Sequence, residues 1–431
     1  MIAAIVLALY LIGFVIYFTK KDYILFYFIG WSVFAPYVAS FVTMDYDVSL
    51  FVDGQSNYFL ALIFIINNCK NNSFFISPSA TRLVIAIFFF LMLAGLLNSV
   101  PVPFYLSWFI SNILPIYFVV SILGSIDITT KLLNRFLLIL MLIQIAVGMF
   151  QYYTGLFVNP AYALKNFAAL YDNILTGTFR GENNCMAFVC ICFMVLLVNY
   201  RNGQSIRKIF ALFLVAAVSF TVLISGVRTY LILLIFYAAM IIYLTSKRKA
   251  ISLAVLAGGL LVISTYLIVA DYTSGRGGDT NAIERQINGI SAVAHNDTDG
   301  STLDYTLYML EKHYHVMDVF GQGKLHTKRG YDRITMGTGT EASVSDATLA
   351  VFLVEFGPIL LLLFLCYYYQ LTCRQFKING SRFYKYSILI YSFYLIAAVT
   401  DAGVFDVMIL TILAMFSDTQ RKVVLADRCV S

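Results

Sequence analysis

Charge is scarce in this chain. Asp, Glu, Lys and Arg make up 12% of the 431 residues and 60% are hydrophobic, a balance far outside the soluble range. The net charge of +6 does not point to nucleic acid, because the basic residues sit in short loops between apolar runs. Cysteine is also sparse: Cys69, Cys185, Cys190, Cys192, Cys366, Cys373 and Cys429 all fall in or near apolar runs or beside basic loops. None lies in the one long polar stretch, Asp271–Ser345, which excludes disulfides and a Cys-based zinc site there and leaves the cysteines as helix-packing residues. A cleavable leader is not expected, since residues 1–18 have neither a basic start nor a small-residue cleavage site.

What the chain has instead is a series of apolar runs of about 15–22 residues, the signature of a polytopic α-helical membrane protein. Spans are expected at 2–18, 23–43, 57–68, 83–98, 102–123, 136–157, 185–200, 209–226, 229–245, 251–270, 348–369, 385–400 and 404–417. The third and the last two are short enough to be tilted or re-entrant. The fold class is therefore all-α and polytopic, with about 12–13 transmembrane helices and one large extracytoplasmic loop containing short amphipathic helices. It is a single membrane domain in three stretches, 1–270, 271–347 and 348–431. Nineteen of the 29 Lys and Arg residues fall on one side of these spans with four acids, Asp22, Asp127, Asp418 and Asp427. The positive-inside rule makes that side cytosolic and the long loop extracytoplasmic.

The loop gathers all four histidines (His295, His313, His315 and His326) and, counting Asp346 just beyond it, eleven of the 23 acidic residues. Titratable groups collected on one side of a bilayer suit a polar substrate there. Within the loop, Ala282–Ala294 reads as a short helix. Leu303, Leu307, Leu310, Tyr314 and Met317 then recur at helical spacing after Ser301, with Asp304 as a capping-box acid. That amphipathic helix is expected flat on the outer face or packed across the bundle, as a lid or as a plain cap.

Several residues are candidates for chemistry. Arg180, in Gly177-Thr-Phe-Arg-Gly-Glu-Asn-Asn184, stands before the span starting near Cys185. A guanidinium beside Glu182, Asn183 and Asn184 at a helix N-terminus suits a phosphate; the alternative is an interfacial Arg meeting lipid head groups or Glu182. Arg228, in Ser225-Gly-Val-Arg-Thr229, interrupts two spans with too few residues for a real loop. An Arg at membrane depth needs a partner, and no acid is near it in sequence. Asp346 is placed where the loop returns to the membrane, either as a base toward a sugar hydroxyl or as a helix N-cap. Glu355, within the following apolar run, needs a partner too, and Arg228 is a candidate on charge grounds only. Arg285 and His313 are assigned to substrate contact within the loop, although His313 and His315, two apart, lie on different helix faces and otherwise read as surface residues rather than metal ligands. Asp45, Asp47 and Asp53 could hold a metal in the first outer loop. Asp401 and Asp406 read as caps of a tight turn.

Taken in order, these segments resemble the bacterial O-antigen polymerase and O-antigen ligase superfamily. Gly177-Thr-Phe-Arg-Gly-Glu-Asn-Asn184 is similar to its Gly-Thr-Phe…Asn segment, Leu223-Ile-Ser-Gly-Val-Arg228 to its Leu-Ser-(Gly)-x-Arg segment, and Phe320-Gly-Gln-Gly323 to the Gly-x-Gly near the end of its large loop. Ser345-Asp346 through Glu355-Phe-Gly357 resembles the segment that returns to the membrane, which in ligases opens with His-Asn. The similarity runs from about residue 136 to 400. It implies an inner-membrane enzyme that transfers an undecaprenyl-diphosphate-linked glycan onto a hydroxyl of an incoming lipid-linked repeat unit at the periplasmic face. It also implies membrane lipid as surroundings, a chain-length regulator and flippase as pathway partners, and arginines that neutralise the leaving diphosphate with no cofactor or metal. Asp346 stands where ligases carry His, which favours a polymerase. The other readings are an O-antigen ligase, a flippase for lipid-linked oligosaccharide, and a metal-dependent glycosyltransferase.

Overall fold

A computed structural model describes residues 2–43, 46–71, 76–97, 102–160, 175–179, 182–202, 208–225, 228–245, 319–321, 348–378, 383–400 and 407–430. Most of those residues are helical, with no strand among them. The helices are α1 (Ile2–Thr19), α2 (Ile24–Thr43), α3 (Tyr46–Asn71), α4 (Pro78–Leu97), α5 (Val102–Trp108), α6 (Leu114–Leu123), α7 (Thr130–Thr154), α8 (Glu182–Arg201), α9 (Lys208–Ile224), α10 (Arg228–Thr245), α11 (Thr348–Thr372), α12 (Phe383–Thr400) and α13 (Val407–Val430). Seven are long and apolar enough to cross a membrane, and Leu214–Ile224 and Tyr230–Thr245 are shorter apolar helices. The chain is a multi-pass membrane protein of all-α class. Inside hydrocarbon only a helix satisfies every backbone N–H and C=O within its own segment, so the apolar runs have no other stable form.

Twelve of the thirteen expected spans coincide with helical segments, α5 and α6 together forming the fifth; the tenth, 251–270, lies outside the described residues, as does the amphipathic helix of the loop. The third is not short: α3 has 26 residues and starts at Tyr46. The region expected as a loop around Asp53 is therefore its first turns. Polar side chains there find partners in the bundle, Ser56 beside Ser32 (3.3 Å) and Asn57 donating to Ser111 O (3.1 Å), which makes helix affordable despite the sequence.

Hydrogen bonds between turns sort the helix ends into two sets. At one end Asp22 accepts from Asp127 N (2.7 Å), Ser77 N donates to Gln375 (3.2 Å), Arg201 Nε donates to Thr245 (2.9 Å), and Lys422 donates to Ile126 O (3.2 Å). At the other, Tyr37 donates to Phe157 O (2.7 Å) and Ser40 to Asn159 (3.0 Å). The first set holds Lys20, Lys21, Arg201, Arg374 and Lys422 and is the basic end. Thr348 starts at the opposite end, hereafter the loop end.

α8 is the central helix: every residue from Cys185 to Val198 is buried, and it packs on α7, α9, α10, α12 and α13. A helix apolar on all faces belongs in the middle. α1 is the counterpart, with only Gly13 and Tyr17 buried and Leu7, Leu11, Ile12, Val15 and Phe18 exposed, the pattern of a lipid-facing edge. At the basic end a chain of amides ties the bundle: Gln420 Nε2 donates to Asn199 (2.7 Å), whose Nδ2 donates to Asn134 (2.6 Å).

Two irregularities interrupt the helices inside the bundle. Phe109–Ile113 is a π-helical turn between α5 and α6, and the carbonyls it displaces are met by side chains, Ser111 O by Asn57, Asn112 O by Tyr368 (3.3 Å) and Ile113 O by Tyr367 (2.7 Å). α11 breaks at Gly357, with φ 76° and ψ 172° just before Pro358. Glycine is required in that region of backbone space, and Pro358 has no N–H to continue the ladder.

Candidate functional site

The site is built on the last turns of α7. Gln144, Gly148 and Gln151 share one face of the helix at i, i+4 and i+7 and are buried. Thr129 caps the helix start by accepting from Leu132 N (3.2 Å), and Gly155, at φ 67°, ends it. The turn Leu175–Phe179 lies on that face. Leu175 fills the space over Gly148, where an added Cβ would stand 2.6 Å from Leu175 Cδ2.

The two glutamines satisfy the turn's backbone. Gln151 Oε1 accepts from Thr176 N (3.0 Å) and Gln151 Nε2 donates to Gly177 O (2.6 Å). Gln144 Oε1 accepts from Thr178 N (2.8 Å) and Gln144 Nε2 donates to Thr178 Oγ1 (2.9 Å), which itself donates to Val33 O (3.0 Å). Asn159 Nδ2 closes the set by donating to Phe179 O (3.1 Å). Buried backbone without such partners would cost about 1–3 kcal/mol per group. Gly177 has φ 56°, and a Cβ on it would lie 2.5 Å from Gln144 Oε1 and 2.9 Å from Cys185 Sγ, so no other residue fits. The Gly-Thr-Phe of the sequence motif is thus an anchor. Phe157, at φ 60°, is held in a strained conformation nearby by two donors to its carbonyl, Tyr37 Oη and Gln151 Nε2 (2.8 Å).

From this anchor the chain reaches α8 in two residues. Arg180, which follows Phe179, lies outside the described residues; Glu182 begins α8 and is described in its backbone alone. Asn183 and Asn184 are half-buried in the first turn. α10 begins at Arg228, also a backbone position. α8 and α10 run parallel in contact, because Arg201 and Thr245 meet at their C-terminal ends. At 1.5 Å per residue they rise about 30 and 27 Å from that common point, so Glu182 and Arg228 start at the same level of the loop end. The bundle therefore sets the starts of the two helices, Glu182 and Arg228, at one end and one level.

The other candidates are not joined to them in the described part. Asp346, Arg285 and His313 lie outside the described residues, as do His295, His315, His326, Asp45, Asp401 and Asp406. Glu355, placed by its backbone, stands two residues before the break of α11. α11 packs on α4, α6, α12 and α13, and α12 touches both α10 and α11, so α12 stands between Glu355's helix and Arg228's. Asp47 and Asp53 are in α3 rather than a loop. Among the described residues no cluster of His, Cys, Asp or Glu is gathered for a metal ion. Cys69 and Cys366 are exposed, and Cys185, Cys190, Cys192 and Cys373 are buried; all six are free thiols.

Gln144, Gln151 and Asn159 did not stand out as functional positions in the sequence. The available signal was polarity out of place: two glutamines in the apolar run of α7, each needing a partner inside the bundle.

No protein-family model matches the chain, and no curated protein matches it.

Proposed function

We propose that the chain is a polysaccharide repeat-unit polymerase of the bacterial inner membrane, moving a glycan from its undecaprenyl diphosphate to a hydroxyl of the next lipid-linked repeat unit at the periplasmic face. One observation carries this reading: the Leu175–Phe179 turn is pinned by Gln144 and Gln151 at the end of the bundle from which α10 starts with Arg228. The residue after that turn is Arg180, so two guanidinium-bearing positions belong to one end of two touching helices, α8 and α10.

Breaking a sugar–diphosphate bond leaves charge on the departing phosphate oxygen. Fixed cations and N–H donors at helix starts stabilise that charge without reorganising, and removal of one such donor costs about 3 kcal/mol, roughly a hundredfold in rate. In this scheme Arg180 and Arg228 hold the diphosphate, Glu182, Asn183 and Asn184 orient it, and Asp346 takes the proton of the attacking hydroxyl. Glu355, Arg285 and His313 contact the glycan. The oxygen of the acceptor bonds to the anomeric carbon as the bond to the lipid diphosphate breaks, and the proton goes to the carboxylate.

The test is the glycan ladder made by cells lacking the gene and complemented with variants. Arg180→Ala and Arg228→Ala should each collapse long chains to single repeats at unchanged protein level, and Asp346→Asn should do the same. Normal ladders from both arginine variants would end the proposal. Free polymer left on the lipid carrier in the deletion strain would assign a ligase, and build-up of lipid-linked unit on the cytosolic side a flippase.

A further inference from the structure

Val319, Phe320 and Gly321 pack against the bundle, with Val319 exposed, Phe320 half-buried and Gly321 buried. Phe320 stacks on Phe90 of α4, with ring centroids 6.1 Å apart and planes 24° from parallel, and Gly321 is buried at φ 70°. Gly357 lies directly against them: a Cβ added to it would stand 2.6 Å from Gly321 N and 2.7 Å from Val319 C. Those are backbone atoms, which cannot swing away as a side chain could.

The depth follows from the basic end, where Gln370 Nε2 donates to Ser79 (2.9 Å) beside the start of α4. Phe90 is twelve residues beyond Pro78 and Gly357 is thirteen before Gln370, so both stand about 18–20 Å above that end at 1.5 Å per residue. The hydrocarbon layer is about 30 Å thick. Non-helical backbone at such depth is tolerated where it is packed in protein or lines a water-filled cavity, and the buried Gly321 and the Phe320–Phe90 stack make this turn a seated part of the bundle.

What it touches is the weak point of α11. At Gly357 the ladder is interrupted, and Pro358 supplies no N–H, so backbone hydrogen bonds do not carry the direction of the second half into the first. Packing does. Phe352 and Phe356 pack on Trp108 (5.6 and 4.6 Å between centroids) and on Phe364 of the second half (5.6 Å each), and the Val319–Gly321 turn abuts the break from another side. The first half, Thr348–Phe356, carries Glu355 and leads in from Asp346.

We propose that Val319–Gly321 is a positioning wedge: seated between Phe90 and Gly357, it sets the direction of the first half of α11 and so aligns the acceptor side of the transfer site. The assignment of that site rests on the function proposed above; the wedge itself does not. Phe320 and Gly321 are positioning residues, with no contact to reacting atoms.

The test uses the full chain in lipid nanodiscs. With its native cysteines replaced, a Phe90→Cys/Phe320→Cys pair should be joined by a short bis-maleimide, and absence of the cross-link in folded protein would overturn the seat. Phe320→Ala, which leaves a void, should speed amide exchange across 348–356 by about tenfold or more while exchange across 359–372 stays unchanged; equal exchange in both halves overturns the wedge. With lipid-linked repeat unit as substrate, the same variant should lower kcat by about a hundredfold, the scale of a misplaced reacting group. KM should stay near the parent value, and Phe320→Tyr should restore the rate. Unchanged kcat overturns the positioning role. If the parent chain makes no polymer, the function proposed above falls, while the cross-link and exchange results still decide the wedge.

Discussion

Replacing Gln151 with Leu should loosen the anchor ahead of Arg180 without unfolding the protein. Gln151 is fully buried and serves three backbone groups: Thr176 N, Gly177 O and Phe157 O. Leu has similar volume and no polar atom, so Thr176 N and Gly177 O lose a partner in a place water does not reach, while Phe157 O keeps Tyr37 Oη. At about 1 kcal/mol each, the lower bound for a buried group left unpaired, the turn loses about 2 kcal/mol. Every 1.4 kcal/mol is a factor of ten, so local opening becomes about thirty times more frequent. Hydrogen exchange read on a peptide spanning 175–179, in nanodiscs, measures that directly. The Thr178 amide, held by Gln144 rather than Gln151, should respond less than the Thr176 amide. Should exchange at 175–179 match the parent while circular dichroism shows intact helix, the glutamine would not be the anchor and the explanation of the Gly-Thr-Phe motif would fail. Long-chain product should fall in the same variant, because Arg180 is one residue beyond Phe179.

Two further predictions concern the basic end. Asn199→Leu cuts the amide chain in the middle and strips Asn134 Oδ1 and Gln420 Nε2 of partners; at about 1–3 kcal/mol for each group left bare, the midpoint of thermal unfolding in detergent should drop by several degrees, and an unchanged midpoint would show that water replaces the amide. Asp418, past the apolar part of α13, has its carboxyl pushed up by burial, against the pull of Lys422 (3.0 Å). A raised carboxyl favours the fold most at pH below its unfolded value, and that contribution is lost as pH rises through the folded value. Asp418→Asn should therefore flatten the dependence of unfolding midpoint on pH in the mildly acidic range, and a profile identical to the parent's would refute the assignment.

The helices were legible because apolar runs that long have one stable form in hydrocarbon, and the alternation of basic loops agrees with the turns that hydrogen bonds group at each end. α3 was misread from Asp47 to Ser56 because Asp, Gly and Ser there look like a loop. Local composition lost to tertiary partners: Ser32 and Ser111 O satisfy side chains that a lone helix would expose. The π turn at Phe109–Ile113 left no readable mark, since what stabilises it, Tyr367 and Tyr368, comes from more than 250 residues away.

The site shows the opposite balance. The arginine segments were singled out by their chemistry and then matched by resemblance, while the reason for the glycines near them came from packing. Gly177 is fixed by Gln144 and Cys185, and Gly357 by the backbone of Val319 and Gly321; neither constraint has any local signature, because the partner in each case belongs to a different segment. What the sequence did display was Gly357-Pro358 inside an apolar run, a pair that interrupts any helix. Read as punctuation rather than as a motif, it marks where α11 needs support, and Trp108 and the Val319–Gly321 turn are among those it has. Trp108→Ala would remove the opposite brace from the same half-helix. If both braces set its direction, Phe320→Ala and Trp108→Ala should each speed exchange across 348–356. The double variant should speed it beyond either single one, because each single variant leaves the other brace in place.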